Sequence, residues 1–195
     1  MQRVGLLFGS YRPQSNGRRV LFFLERFLKD LKAVPFSVDA AAYGLTLLEK
    51  TYQDDLNNPL LKKLADLYQT LDAFILVSGE YNHLPQPGLL NLLNFFSQKH
   101  YGKPSGLVTY SVGAFGGVRT EAPLRTIADT LNMPSIAPVL SIPFVDKVLS
   151  YKGSFQEEGI PLGIHTDLIS KQCNHFLEKL LHACKHTTST MKTKN

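Results

Sequence analysis

The sequence predicts an α/β domain built on a doubly wound parallel sheet. Three observations predict it. Residues 4–8 (VGLLF), 73–77 (AFILV) and 106–110 (GLVTY) are apolar without alternation, as strands buried on both faces are. Stretches with apolar residues at helical spacing follow them, as in residues 20–31 (VLFFLERFLKDL), where Glu25, Arg26, Lys29 and Asp30 share the polar face. No internal repeat or linker divides the 195 residues, a length that suits one domain.

In chain order, residues 4–8 form the first strand and 20–31 the first helix. Residues 36–42 are a weaker strand candidate. Residues 43–58 read as a long connection. A helix is expected over 59–71, with Pro59 suited to its first turn. Strand 73–77 leads to helix 89–97, strand 106–110 to helix 118–131, and residues 136–142 form a further strand. A last helical stretch covers 162–184. The packed domain is expected over 1–185, and the polar tail HTTSTMKTKN over 186–195 is expected to be disordered.

Composition excludes several classes. No apolar stretch is long enough to span a bilayer, and the N-terminus lacks the regions of a secretory signal. A cytoplasmic protein with no membrane partner is expected. Cys173 and Cys184 form no Cys-x-x-Cys pair, so no zinc or dithiol site is expected and packing roles suit them. Net charge is +5, but the basic residues are dispersed and no nucleic-acid-binding motif accompanies them. A surface that attracts phosphorylated small molecules fits as well. Neither G-x-S-x-G nor H-E-x-x-H occurs, so no motif points to a nucleophile elbow or a zinc protease site.

In a parallel sheet, ligands sit beyond the carboxyl ends of the strands. The loop over 9–17 (GSYRPQSNG) opens a helix, where free N–H groups and the dipole favour an anion. Ser10 and Ser15 can donate hydroxyl hydrogen bonds, and Arg12 can pair bidentately with phosphate. A capped turn with solvated arginines is the plainer alternative. The loop over 78–88 (SGEYNHLPQPG) is long for its type and offers Tyr81, Asn82 and His83. The loop over 111–117 (SVGAFGG) carries three glycines, which permit either close approach to a planar ring or tight strand–helix packing. Together the loops suit a phosphate joined to a planar ring system.

These residues resemble the NAD(P)H-dependent FMN reductases of flavodoxin-like fold, which include quinone and azo-dye reductases. The likeness covers residues 3–145. Gly9-Ser10-Tyr11-Arg12 matches G-S-x-R. Gly79-Glu80-Tyr81-Asn82 followed by Leu89 to Phe95 matches P-E-Y-N and L-x-N-x-x-D-[WHY]. Lys103-Pro104 and Ser111 to Gly117 match K-P and S-x-G-x-x-G-G. Gly79, Leu90 and Asn94 depart from the usual proline, lysine and aspartate.

The resemblance implies a three-layer fold with five parallel strands in the order 2-1-3-4-5. It implies FMN as cofactor, with NADPH or NADH as electron donor. Ser10, Arg12, Ser15, Asn16 and Gly17 would hold the phosphate. Glu80, Tyr81, Asn82 and His83 would border the ring, and Ser111, Gly113, Gly116 and Gly117 its polar edge. Tyr81, His83 and Pro85 would face a quinone, azo or flavin acceptor. The flavin would carry the hydride itself, leaving no catalytic side chain to find. A homodimer is expected, because residues 89–96 (LLNLLNFF) carry apolar groups on nearly every helical face. An electron carrier of flavodoxin type, or an FMN-binding regulator, is the alternative; such carriers are usually acidic, and this chain is basic.

Overall fold

The structure, a computed structural model, describes residues 1–45, 57–96 and 99–192, with side chains up to residue 185. Five strands form one parallel sheet: β1 (Arg3–Phe8), β2 (Val34–Asp39), β3 (Ala73–Gly79), β4 (Ser105–Tyr110) and β5 (Ser135–Ile142). Their order is β2-β1-β3-β4-β5, the order expected. The helices are α1 (Gly17–Asp30), α2 (Pro59–Gln69), α3 (Pro87–Phe95), α4 (Glu121–Thr130), α5 (Val145–Val148) and α6 (Thr166–Lys192).

The unbroken apolar runs have a direct cause. On β1, Val4, Leu6 and Phe8 enter one core with α1, α5 and α6, while Leu7 enters a second core with α2, α3 and α4. On β3, Ala73, Ile75 and Val77 join the first core, and Phe74 and Leu76 the second. Both faces are covered, so polar residues have no place in the strand interiors. Cys173 and Cys184 are buried on α6 and form no disulfide, which fits the packing role.

Several boundaries differ from expectation. β2 begins at Val34 rather than residue 36, because it pairs in register with β1 from Arg3↔Val34 to Phe8↔Asp39. It is an edge strand, which tolerates Pro35 and shows only a half-buried pattern. The expected helix over 118–131 divides into a single 3₁₀ turn, Val118–Thr120, and α4. The short helix α5 had no periodic signal. α6 starts at Thr166 and continues to Lys192, into the segment expected to lack structure; no Gly or Pro after Gly163 interrupts it. The connection expected over 43–58 and the end of helix 89–97 fall largely or partly outside the described residues.

α3 corrects one argument. Leu89, Leu92, Leu93, Phe95 and Phe96 are all buried within the single chain. The helix packs against both the sheet and α2, with the Tyr68 and Phe96 ring centroids 4.8 Å apart. Leu90 is half-buried and Asn94 exposed, so α3 leaves no broad apolar face for a partner. No helix among the described residues is long and apolar enough to cross a membrane.

Candidate functional site

Three loops meet at the carboxyl edge of β1, β3 and β4. The first leaves β1 at Gly9 and enters α1 at Gly17. Ser10 is buried, and its Oγ accepts from the Arg12 N–H at 3.4 Å, which leaves the hydroxyl proton free to donate. Ser15 is buried too, and its Oγ accepts from the Gly17 N–H at 3.3 Å. Asn16 occupies the N-cap position with helical φ −62° and makes no side-chain cap bond. The N–H groups of Gln14 and Asn16 have no acceptor among the described residues. The helix start thus offers donors instead of closing on itself.

The three arginines near this loop have separate roles. Arg18 Nε donates to Asp39 Oδ2 at 2.8 Å, and Arg18 also donates to the Arg12 and Pro13 carbonyls. It braces the loop from β2. Arg19 is buried, donates to the Leu149 carbonyl and stacks 3.6 Å from the Tyr151 ring centroid. Arg12 pairs with no carboxylate among the described residues; its guanidinium lies 5.0 Å from the Tyr81 ring centroid. Arg12 is exposed, while Arg18 and Arg19 are engaged within the fold.

The second loop turns sharply. Tyr81 and Leu84 exchange two backbone hydrogen bonds of 2.9 Å around Asn82 and His83. Both central residues have positive φ, 51° and 67°, as in a type I′ turn. The turn carries His83 outward, with its side chain 67% exposed. Glu80 lies 3.8 Å from His83 and 3.7 Å from Arg119, which ties this loop to the 3₁₀ turn after the third. Pro85 is buried, because the chain turns back there toward α3; it does not face the cleft as expected.

The third loop is tied to β5. Thr109 Oγ1 donates to the Gly116 carbonyl at 2.8 Å. The Phe144 and Val145 N–H groups donate to the Gly113 and Ser111 carbonyls, with Phe144 held at φ 45°. Gly116 and Gly117 have positive φ, and a β-carbon on Gly117 would lie 2.8 Å from the Tyr110 carbonyl oxygen. These two glycines serve packing. With the Ser111 and Gly113 carbonyls turned to the chain just after β5, the N–H groups of Val112 and Gly113 have no acceptor among the described residues.

The loops enclose a cleft of about 190 Å³. Of the expected residues, Ser10, Arg12, Ser15, Asn16, Glu80, Tyr81 and Ser111 line it. Gly17, Asn82, His83, Pro85, Gly113, Gly116 and Gly117 do not. Gly17 is a packing residue: a β-carbon there would meet Phe8 at 2.2 Å and the Tyr110 hydroxyl at 2.4 Å. Gln14, Gly79, Gln86, Tyr110, Val112 and Val145 also line the cleft. Sequence reading placed Gln86, with Pro85 and Pro87, on the substrate side of the second loop and gave the others no binding role. Burial pushes the Tyr110 hydroxyl well above its usual pKa, so it stays protonated as a donor. No group of acidic, His or Cys residues among those described could hold a metal.

Free N–H groups, an unpaired guanidinium and a hydroxyl donor at one end suit a phosphate. Free N–H groups on the third loop, facing a loop with Tyr81, suit a polar ring edge. The residues present therefore fit FMN.

Comparison with known proteins points the same way. The family model for NADPH-dependent FMN reductase matches residues 2–147, which include all three loops. A quinone reductase from Escherichia coli (strain K12) is 30% identical over 132 residues, covering 64% of this chain and 68% of that protein. A quinone reductase from Pseudomonas putida is 27% identical over 137 residues, covering 67% and 72%. FerB, a flavoenzyme NAD(P)H:(acceptor) oxidoreductase from Paracoccus denitrificans, shares the fold with a TM-score of 0.74 at 16% identity, over 96% of this chain and 99% of that one. The chain belongs to the NADPH-dependent FMN reductase family and is an oxidoreductase that uses FMN, with NAD(P)H as electron donor.

Proposed function

We propose that the cleft holds FMN with its phosphate on the loop of Ser10, Arg12, Ser15 and Asn16. The ring system lies between Glu80–Tyr81 and the Ser111 loop, and the enzyme reduces a quinone, azo or flavin acceptor. One observation carries this reading: Arg12 is free of any carboxylate among the described residues, beside unpaired N–H groups, while Arg18 and Arg19 are engaged elsewhere. A charge-assisted bond to phosphate is what such a group supplies.

FMN, when bound, supplies the hydride chemistry. The protein's part is to bind and orient. Tyr81 offers a flat wall, and the exposed His83 shapes the rim without reaching the cleft. Solvent reaches this open rim and can protonate a reduced acceptor, so no side chain need act as general acid. One open ring face then serves donor and acceptor in turn.

The reading includes a homodimer. Its support is not α3 but the loops around the cleft mouth, where Leu84, Val112, Phe115 and Val118 are exposed. Large apolar groups gathered at a site rim favour a partner surface.

Anaerobic titration of the flavin-loaded protein with NADPH or NADH tests the activity; the visible flavin band should bleach. Double-reciprocal plots across acceptor concentrations should be parallel. Intersecting lines would show both substrates bound together and overturn the single-face scheme.

A further inference from the structure

Gln86 is 3% exposed and lies where the second loop enters α3. Its backbone serves as the helix N-cap, yet its side chain makes no cap bond. Instead Gln86 Oε1 accepts from the Tyr110 hydroxyl at 3.1 Å. Tyr110 is itself buried, with its hydroxyl close against Gly17 and Gly79. The hydroxyl has a single proton, and it goes to Gln86. The amide is thereby oriented with its nitrogen away from Tyr110.

That nitrogen has no acceptor among the described residues, and Gln86 lines the cleft. The nitrogen opens onto the cleft, where a ligand can take its N–H in place of water. Its place in the cleft selects which part of a ligand it meets. Tyr110, which holds it, packs beneath Gly17 at the start of α1 on one side and beside Gly79 at the root of the second loop on the other. Gln86 therefore faces the middle of the cleft, between the phosphate loop and the ring loops.

We propose that Gln86, oriented by Tyr110, is a binding residue for the ribityl chain of FMN, donating its amide N–H to a ribityl hydroxyl oxygen. This rests on the FMN reading above. Tyr110 is a positioning residue: it touches the amide, and through it the ligand.

The test measures binding of FMN, riboflavin and lumiflavin to apoprotein by flavin fluorescence. Lumiflavin keeps the ring and lacks the ribityl chain; riboflavin keeps both and lacks the phosphate. Gln86→Leu should weaken FMN and riboflavin alike by about tenfold, with lumiflavin unchanged. Gln86→Met, of similar length and without either polar group, should do the same, and apoprotein melting checks that both variants are folded. Tyr110→Phe should give a smaller loss for the same two ligands, and the double variant should lose less than the sum. A loss confined to FMN would assign Gln86 to the phosphate. An equal loss for lumiflavin would assign it to the ring, and no loss would remove it from the site; each overturns the proposal. Wild-type apoprotein that binds none of the three would overturn the FMN reading itself.

Discussion

Gly9 and Gly88 meet backbone to backbone. A β-carbon on Gly9 would lie 1.7 Å from the Leu89 nitrogen, and one on Gly88 would lie 2.3 Å from the Gly9 carbonyl oxygen. The first loop is thus seated directly on the start of α3. No flexible side chain stands between them to yield. Gly9→Ala and Gly88→Ala should each destabilise the fold by about 1–3 kcal/mol and weaken FMN binding. Urea unfolding reads the first effect; an unchanged midpoint would contradict this packing.

His83 sits at φ 67° on the tip of an exposed turn, outside the cleft. His83→Ala should change KM more than kcat. Steady-state kinetics with a quinone acceptor decides the matter. A kcat loss of about 10²-fold or more would make His83 a general acid.

The two thiols on α6 set an alkaline limit. Burial, with the Asp72 charge adding to it, pushes Cys184 up from 9.0 to about 12. Burial raises Cys173 as well. The unfolded chain ionises these thiols first, so their stability contribution is complete below pH 9.0 and is lost as pH rises toward about 12. The urea midpoint should fall between about pH 9 and about pH 10.5, within the unfolded thiol range. A Cys173→Ala, Cys184→Ala double variant should show a shallower fall. An equal slope in the variant would exclude the thiols as the cause.

The Phe115 ring is exposed, with the Arg119 guanidinium 5.0 Å from its centroid. If this rim meets a second copy, light scattering should report a dimer at micromolar concentration. Phe115→Glu should shift it toward monomer. A wild-type monomer at that concentration would contradict the dimer.

Much of this molecule is legible in its sequence, for physical reasons. β1, β3 and β4 are plain because both their faces are buried, which leaves continuous apolar runs. β2 is displaced because an edge strand gives a weaker pattern, and only pairing with β1 fixes its register. The loops read as a site because small polar residues and glycines gather after the strands. Their inner workings do not read. Arg12, Arg18 and Arg19 look alike in sequence; Asp39 and the Leu149 carbonyl, far along the chain, separate them. Gln86 and Tyr110 meet only because the second loop and β4 end at one edge. Glycine composition cannot tell packing from ligand approach, and here Gly17 and Gly117 pack.

The central claim is that the start of α1, with Arg12, holds the phosphate of FMN. Binding of FMN and of riboflavin to the wild type and to Arg12→Ala tests it most directly. Loss of a charge-assisted bond worth about 1.5–3 kcal/mol predicts that FMN affinity falls about tenfold or more, while riboflavin affinity changes little. Equal losses for both ligands, or no loss for FMN, would contradict it.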